Sequence, residues 1–356
     1  MKILYISPEN TVGILNAWKH IHIKKGNEAR FITFYKSRNM YDEDICLNLP
    51  LISTNNSYLE LRKFFFKVYK KRNYDDELNG YPPIYRSSGY FENLLYAMRD
   101  QLWSGIIDEA IDKYNLYDFD IYHFEWGLDF FRDFRFAKEI KRRGKKLVCH
   151  YHGQDIRTRG IFKDIDKISN LNLTNEIDLL DMHPNINHIF LPFNTNTSIN
   201  NSVNDIVRIC HSPTNRAYKG TNDIINIISK ISYDMKIEFV LIEGVDHMKA
   251  KKLKGECDIF IDQISDVGGW GYGMSTIEAM SFGLCCICKI QSKVKKLNPD
   301  LPIISADKST LEYELRALIS NRKKIIKYGH DARSWVIKKH SYQAVGNQLY
   351  DFYGRL

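Results

Sequence analysis

The sequence predicts an α/β protein with two doubly wound domains, each a parallel sheet with helices on both faces. Short apolar runs bounded by turn residues alternate with segments of helical periodicity, in two successive series. The polar stretch 194–204, NTNTSINNSVN, separates the series because it cannot continue a core element. A chain of 356 residues, 44% of them hydrophobic, is long enough for two cores. We predict an N-terminal domain over 1–195, a C-terminal domain over 205–335, and a final helix over about 336–356 that packs back on the first domain.

The first series begins at the N-terminus. An apolar run at Lys2–Ser7 precedes helical spacing over Val12–Lys25, as expected for a strand and the helix that leads to its parallel neighbour. The remaining predicted elements of this domain are strands at Ala29–Phe34, Phe119–His123, Lys146–Tyr151 and His188–Leu191, and a helix over Phe130–Arg143. Buried parallel strands appear as continuous apolar runs because helices cover both of their faces.

The second series has the same rhythm. The predicted strands are Ile206–Cys210, Ile237–Ile242, Asp258–Ile261 and Leu284–Cys288, and the predicted helices are Thr221–Ile231 and Met274–Phe282. Two series of similar rhythm indicate two doubly wound domains facing each other across a cleft.

Composition excludes several classes of protein. Lys and Arg number 51 against 43 Asp and Glu, and this net charge of +8 suits anionic ligands but is too weak to indicate nucleic-acid binding. No apolar run approaches the ~20 residues of a membrane span, and the N-terminus lacks a signal-peptide core, so we expect a cytoplasmic protein. The seven cysteines include three in one apolar run (Cys285, Cys286 and Cys288), which is typical of buried free thiols.

One segment of the first domain, Tyr58–Arg72, breaks the rhythm. Its sequence YLELRKFFFKVYKKR combines basic residues with large apolar ones, as an interfacial helix at the inner face of a membrane would. An ordinary amphipathic surface helix has the same pattern. Both interpretations remain open at this point.

A glycine-rich loop follows the apolar strand that ends at Ile261 and opens directly into a helix. Its glycines are Gly268, Gly269, Gly271 and Gly273. Glycines allow the backbone to approach a ligand closely, and the first amides of the helix, those of Met274, Ser275 and Thr276, favour a diphosphate. Neither a dinucleotide fingerprint nor a P-loop lysine is present. Alternatively, the loop is only a tight strand-to-helix turn.

Three side chains near these strand ends are candidates for ligand binding. Glu278 lies one turn into the helix, where its carboxylate either accepts hydrogen bonds from ribose hydroxyls or faces solvent. Arg216 and Lys219 lie on a loop after the strand that ends near His211, at the sheet edge where open α/β proteins bind ligands. We therefore expect them to neutralise phosphate charge, although such a pair on a loop can also be simply solvated.

These two segments carry a resemblance to a known family. The motif Ser-Pro-Thr-Asn-Arg-x-x-Lys-Gly-Thr, over 212–221, and Gly-Tyr-Gly-Met-Ser-Thr-Ile-Glu-Ala-Met, over 271–280, resemble the C-terminal half of the retaining nucleotide-sugar glycosyltransferases of family 4. The resemblance implies the two-domain GT-B fold, a nucleotide sugar held mainly by the second domain, and an acceptor held mainly by the first. It also implies that the enzyme needs no cofactor and no essential metal.

The resemblance assigns roles residue by residue. Lys219 matches the lysine that binds the donor diphosphate, Glu278 matches the glutamate that binds ribose, and the turn at the phosphates matches Gly273, Met274, Ser275 and Thr276. His152, in Tyr-His-Gly-Gln-Asp, matches a histidine beside the donor sugar; at a strand end it is otherwise a structural turn residue. Asp155 either orients that ring or caps the next segment. Gly13 matches part of the acceptor-side glycine loop.

Two positions depart from the family pattern. The first of two glutamates that the family separates by seven residues is replaced by Trp270, and the usual arginine falls on Thr214, with Arg216 displaced by two positions. Together these departures resemble a subset of the family with a variant loop, marked here by Asp262, Gln263, Gly271, Tyr272, Gly273 and Met274. We expect Trp270 and Tyr272 to belong to the donor site.

Other chemistry has weaker support in the sequence. Asp118 and Asp120 form the D-x-D pattern of metal-dependent transferases, but they precede a strand and are best explained as a loop-to-strand junction. His150 and His152 have no partner at metal-ligand spacing. We predict a glycosyltransferase that uses a UDP or GDP sugar and a glycan or lipid-linked acceptor. The alternatives are a non-catalytic nucleotide-binding or partner subunit, and a sugar-nucleotide epimerase or hydrolase.

Overall fold

A computed structural model describes residues 1–37, 41–51, 83–87, 89–153, 155–197, 206–265 and 271–356 of the chain. The predicted interfacial helix Tyr58–Arg72, Gly268, Gly269, Trp270 and most of the predicted linker lie outside the described residues. The chain folds into two compact units, one formed by Met1–Ile189 with Gly346–Leu356 and the other by Phe190–Val345. Residues 190–195, predicted to end the first domain, thus belong to the second unit.

Unit 1 contains a parallel sheet whose seven strands have the order β3-β2-β1-β4-β5-β6-β7. The strands are β1 (Lys2–Ser7), β2 (Glu28–Thr33), β3 (Ile45–Cys46), β4 (Ile121–Glu125), β5 (Lys146–Tyr151), β6 (Leu171–Thr174) and β7 (Ile186–His188). The chain order reverses between β1 and β4, and the carboxyl ends of the strands beside such a switch point are where open α/β sheets bind ligands.

The helices of unit 1 are α1 (Ile14–Lys24), α2 (Tyr90–Tyr114), α3 (Arg135–Arg142) and α4 (Lys163–Ile168). They cover a core built from the apolar strands, in which residues such as Leu4, Phe124 and Leu147 are fully buried. The C-terminal helix reaches this unit: the hydroxyl of Tyr350 forms a hydrogen bond of 2.9 Å with Nδ1 of His22 in α1.

Several elements differ from the sequence predictions. The helix predicted over Phe130–Arg143 begins only at Arg135, because Asp129 accepts hydrogen bonds from the amides of Phe130 and Ala137 and holds the intervening loop. The strand predicted at His188–Leu191 lies earlier, at β7. The long helix α2 and the strands β3 and β6 were not predicted.

Unit 2 contains a parallel sheet with the order β12-β11-β10-β8-β9. Its strands are β8 (Val207–His211), β9 (Ile237–Leu241), β10 (Ile259–Ile261), β11 (Cys285–Ile287) and β12 (Ile303–Ile304). The helices are α5 (Arg216–Lys219), α6 (Thr221–Asp234), α7 (His247–Gly255), α8 (Met274–Ser281), α9 (Ser292–Leu297), α10 (Leu311–Ile319), α11 (Arg322–His340) and α12 (Tyr342–Tyr353), the last of which continues into unit 1. The switch point of this sheet lies between β8 and β10.

The interior of unit 2 is apolar and aliphatic. Ile209, Ile259 and Ile287 from three neighbouring strands pack against isoleucines of α6 and leucines of α10. All seven cysteines of the chain are free, and six of them are buried. Among the described residues, no helix is both long and apolar enough to cross a membrane.

Candidate active site

Lys219 lies at the switch point of the unit 2 sheet. It ends the short helix α5 after β8, and its Nζ is 2.5 Å from Oδ1 of Asp262, the residue that follows β10. Asp262 is buried, and its Oδ2 accepts a hydrogen bond of 2.6 Å from Oγ1 of Thr276 in α8. The two strands beside the switch point and the first turn of α8 are therefore joined through one carboxylate.

A glycine is required directly after Lys219. Gly220 has φ +71°, and a Cβ there would come within 2.8 Å of Cγ1 of Ile264. This left-handed residue ends α5 and begins α6, which fixes the direction in which Lys219 leaves the backbone.

The start of α8 provides backbone amides, as the sequence predicted for a phosphate site. The amides of Thr276 and Ile277 both donate to the carbonyl oxygen of Gly273 at 3.0 Å. Of the three amides that the sequence analysis proposed for a diphosphate, that of Thr276 is therefore already hydrogen-bonded. The amides of Met274 and Ser275 are left as candidates for phosphate binding. Gly273 itself is extended, and a Cβ on it would meet nothing within 4 Å, so close packing does not require a glycine here.

Glu278 is buried on α8, and both of its carboxylate oxygens have partners. Oε2 lies 2.8 Å from Nζ of Lys254, and Oε1 lies 3.1 Å from Nε2 of His247, both on α7. Lys254 is only 2% exposed and also donates to Oγ of Ser275 at 2.9 Å. The sequence analysis missed Lys254 and His247. Lys254 is one of several lysines in α7, and nothing in the sequence indicates that this one is buried.

Two other predicted donor residues have protein partners. Arg216 is half exposed, and its guanidinium forms a bidentate ion pair with Glu243, with an Nη2–Oε2 distance of 2.5 Å. Tyr272 is buried, with its ring 5.7 Å from that of Trp335 and its hydroxyl 3.3 Å from Nε2 of His340. Burial raises the pKa of Tyr272 well above its usual value. These contacts make Tyr272 an anchor for Gly271 and the end of the glycine-rich loop.

In unit 1, His152 directly follows β5 and pairs with a residue that the sequence analysis missed. Its Nε2 is 2.5 Å from Oε2 of Glu125, the last residue of the adjacent strand β4. Glu125 is 1% exposed. Burial alone would lower the pKa of His152, but the hydrogen bond and charge of Glu125 outweigh it and raise that pKa above its usual value. Glu125 ends a strand next to the strand that precedes His152, and this placement is the signal that would have identified it.

Asp155 stabilises the turn after His152 and does not orient its ring. Its carboxylate accepts hydrogen bonds from the backbone amides of His152, Gly153 and Ile156 at 2.8 to 2.9 Å. Of the two roles weighed for Asp155, the structure therefore shows the cap. Gly153 has φ +102°, a conformation that this tight turn requires.

His150, two residues before His152, lies on β5 and joins Glu125 and His152 in one polar cluster. Nδ2 of Asn175 donates to the carbonyl oxygen of Ile189, which fixes the orientation of the Asn175 amide. Oδ1 of Asn175 therefore accepts a hydrogen bond of 3.0 Å from Nε2 of His150. Nδ1 of His150 then faces Oε1 of Glu125 at 3.6 Å. Burial would raise the pKa of Glu125, but the charges of His150 and His152 hold it well below its usual value.

Glu125, His150 and His152 each place one potential metal-ligand atom within 4.8 Å of the others. The sequence offered no partner for the two histidines, and the fold supplies it from the neighbouring strand. The Nε2–Oε2 distance of 2.5 Å is that of a charge-assisted hydrogen bond, so we interpret the group as an ion pair that holds a proton.

The remaining candidates of unit 1 have structural explanations. Gly13, after β1, has φ +71°, and a Cβ there would approach the ring of Tyr41 to 3.0 Å. Asp118 pairs with Nζ of Lys2 at 2.5 Å, and Asp120 accepts from the Lys2 amide at 2.8 Å. The two aspartates therefore align the starts of β1 and β4, which agrees with the junction predicted for them.

Two units, each a parallel doubly wound sheet of the Rossmann type, define the chain as an α/β protein with the GT-B fold. No family model matches the sequence, and no curated protein matches it.

Solved structures similar to the chain include the Anabaena protein HepE in complex with UDP, with TM-score 0.59 and 12% identity over 100% of both chains. Sucrose-phosphate synthase from Thermosynechococcus elongatus has TM-score 0.61 and 11% identity over 100% of this chain and 98% of that one. TarM has TM-score 0.61 and 12% identity over 98% of both chains. Such low identities establish the fold alone.

Proposed function

We propose that the protein is a glycosyltransferase that moves a hexose or N-acetylhexosamine from a nucleotide-diphosphate sugar to an acceptor hydroxyl with retention of configuration. The observation that carries the proposal is Lys219, held beside the amino end of α8 at the switch point of unit 2 by Asp262, whose other oxygen accepts from Thr276. A cation beside backbone amides that have no hydrogen-bond partner within the described ranges suits a diphosphate.

In the proposed reaction, the bond from the sugar C1 to the diphosphate breaks, and the acceptor oxygen bonds to C1 on the same face. The acceptor proton goes to an oxygen of the leaving phosphate. Lys219 and the amides of Met274 and Ser275 stabilise the charge that grows on the diphosphate. Glu278, held by Lys254, accepts the ribose hydroxyls, and His152 positions the sugar. The proposal includes no resident metal.

We place the enzyme in the assembly of a surface polysaccharide or glycolipid, in the cytoplasm at the inner face of the membrane. The motivation is the alternation of basic and aromatic residues in Tyr58–Arg72. Co-sedimentation with vesicles of neutral and of anionic lipids tests this part: binding to anionic vesicles alone is expected, and no binding to either would remove the membrane contact.

Nucleotide binding is the first test, measured as thermal stability with UDP, GDP, ADP and their sugar conjugates. A ligand at ~100 times its Kd adds about 2.7 kcal/mol to the free energy of unfolding. One base is expected to stabilise the protein, and Lys219→Met should weaken its binding at least ~10-fold. Lys249→Met, an exposed lysine of the same unit, is the control. If no nucleotide stabilised the protein, the non-catalytic partner role would be preferred.

Transfer itself is measured with the stabilising donor and a panel of glycan and lipid-linked acceptors, with EDTA present. The anomeric configuration of the product, read by NMR, decides between retention and inversion. His152→Ala should reduce transfer while leaving the nucleotide Kd unchanged. Turnover of donor without any acceptor would instead identify an epimerase or hydrolase.

A further inference from the structure

Unit 1 contains a pocket of about 450 Å³ that the proposed mechanism does not use. It lies between the amino-terminal half of α2 and the loops after β4 and β5, and its lining includes Tyr96, Arg132 and Phe162. The volume is within the range of small-molecule sites. Because both loops follow the carboxyl ends of strands, the pocket opens at the same sheet edge as His152.

Arg132 lies in the wall of this pocket. Its Cζ lies 4.1 Å from the ring centroid of Tyr96 and 4.8 Å from that of Phe162, so the group is held between two aromatic faces. Its Nε and Nη1 are buried and have no hydrogen-bond partner in the described part of the chain. A desolvated cation without such partners costs free energy, which a nearby anion would offset.

The surroundings of Arg132 add positive charge. Arg99 lies over the Tyr96 ring at 4.9 Å, and Arg159 lies over the Phe162 ring at 4.6 Å. Burial lowers the pKa of Arg159 to about 10, and the charge of Arg132 contributes to this shift. Two carboxylates also line the pocket, and both have partners: Asp100 is bonded to Arg99 at 2.6 Å and to the backbone amide of Arg132 at 2.7 Å, and Asp133 pairs with Arg135 at 3.4 Å.

The pocket is linked to His152 through one loop. Nη2 of Arg159 donates to the carbonyl oxygen of Trp126 at 2.5 Å, and the Trp126 ring lies 5.9 Å from that of His152. A molecule bound in the pocket would therefore be held beside the loop that carries Trp126, within unit 1. This is where an acceptor would be expected if His152 belongs to the reaction.

We infer that this pocket binds an anionic sugar of the acceptor, through a carboxylate or phosphate attracted by Arg132. The inference rests on the proposed transferase function. Guanidinium groups bind both oxyanions strongly, and the amide side chains of Asn93 and Gln101, which also line the pocket, suit sugar hydroxyls. A neutral sugar would leave the charge of Arg132 uncompensated and would bind more weakly.

The test measures binding of methyl β-D-glucuronide, glucose 1-phosphate, inorganic phosphate and the neutral methyl β-D-glucoside by isothermal titration calorimetry, with and without excess UDP. At least one anionic sugar should bind ~10-fold more tightly than the glucoside, including in the presence of UDP. Equal binding of all sugars would overturn the inference. Inorganic phosphate binding as tightly as the best anionic sugar would overturn the assignment of a sugar.

Two variants locate the binding. Arg132→Gln should weaken the anionic sugar at least ~10-fold, but it can also disturb folding. Asn93→Asp, at an exposed position of α2, introduces a like charge at the pocket without touching the core and should weaken binding ~5-fold. Asn115→Asp, at the other end of the same helix, is the matched control. If Asn93→Asp bound the sugar like the wild type, this pocket would not be the site.

The result separates this inference from the proposed function. Stabilisation by a nucleotide without binding of any anionic sugar refutes only the pocket. Binding of an anionic sugar that Arg132→Gln abolishes, in a protein that no nucleotide stabilises, refutes the transferase and keeps the pocket.

Discussion

Replacing Glu125 by glutamine tests the ion pair at the end of β5. The side chains have the same shape, so Glu125→Gln removes a charge without leaving a cavity. In the wild type, the buried carboxylate of Glu125 accepts from Nε2 of His152 at 2.5 Å. A hydrogen bond to a charged group contributes ~1.5–3 kcal/mol. Glu125 is buried but His152 is partly exposed, which favours the middle of this range. We expect a loss of about 2 kcal/mol in the stability of unit 1 while His152 is charged.

The pH dependence follows from the two shifted pKa values. The folded pKa of His152 is raised above 6.5, so the stability it contributes is fully present below pH ~6.5 and is lost as pH rises through the folded value. The folded pKa of Glu125 is lowered below 4.5, so its contribution is present above pH ~4.5 and is lost as pH falls. The difference between wild type and variant should therefore be largest between about pH 4.5 and 6.5.

Above this pH range, a glutamine at position 125 can form hydrogen bonds with both histidines. Its amide nitrogen can donate to Nδ1 of His150, which faces position 125 at 3.6 Å, and its oxygen can accept from Nε2 of neutral His152. The stability difference should then approach zero near pH 8.5.

Urea unfolding at pH 5.5 and pH 8.5, read by hydrogen–deuterium exchange of peptides from β4 and β5, reports on unit 1 alone. Glu139→Gln is the control, because Glu139 pairs with Arg142 and Arg143 at the surface and has no histidine partner among the described residues. Its effect should be the same at both pH values. A stability loss for Glu125→Gln that does not change between pH 5.5 and 8.5 would refute the charged pair.

Two further predictions concern unit 2, each with urea unfolding as the measurement. Lys254→Met removes the buried ammonium partner of Oε2 of Glu278, leaves the carboxylate only the half-exposed His247, and should cost ~3 kcal/mol. Lys252→Met on the exposed face of α7 should cost little, and no loss for Lys254→Met would exclude the buried pair. Gly329→Ala should cost at least ~2 kcal/mol, because a Cβ there would overlap the backbone carbonyl of the turn after α8. Gly105→Ala is the control, because a Cβ there meets nothing within 4 Å, and it should be neutral or stabilising. Equal changes in the free energy of unfolding for the two alanine variants would contradict the close packing of α11 at Gly329.

The regular α/β alternation could be predicted from the sequence because parallel strands are buried on both faces. Strands β1 and β5 have the predicted bounds, since each is an uninterrupted apolar run. Helix α2 escaped prediction for the opposite reason. Its large apolar residues lie on two sides, with Trp103 and Ile107 buried and Phe91 and Met98 exposed, so no single apolar stripe appears in the sequence.

The candidate site was predictable only in part. Lys219 and His152 were candidates because His152 directly follows an apolar run and Lys219 lies on the loop after another, both at carboxyl ends of strands, and because the family resemblance assigns both to the donor site. Their partners were not, since the carboxylates that hold them, Asp262 and Glu125, lie 43 and 27 residues away along the chain. Strand order brings these pairs together, and strand order cannot be read from apolar periodicity.

The pairing of Lys219 with Asp262 bears on how the proposed donor site would bind a diphosphate. An ammonium group has three donors, and within the described residues Nζ of Lys219 has one polar contact, that of 2.5 Å with Oδ1 of Asp262, so two donors remain for phosphate oxygens. Asp262 also accepts from Thr276, so the lysine is held against the first turn of α8 before any ligand arrives. A lysine fixed in this way loses less side-chain entropy on binding a diphosphate than a free one would. In the proposed function, Asp262 thus positions the cation for its ligand. Its negative charge lowers the attraction for every anion, and an anion that reaches both Lys219 and the α8 amides offsets this loss with more contacts.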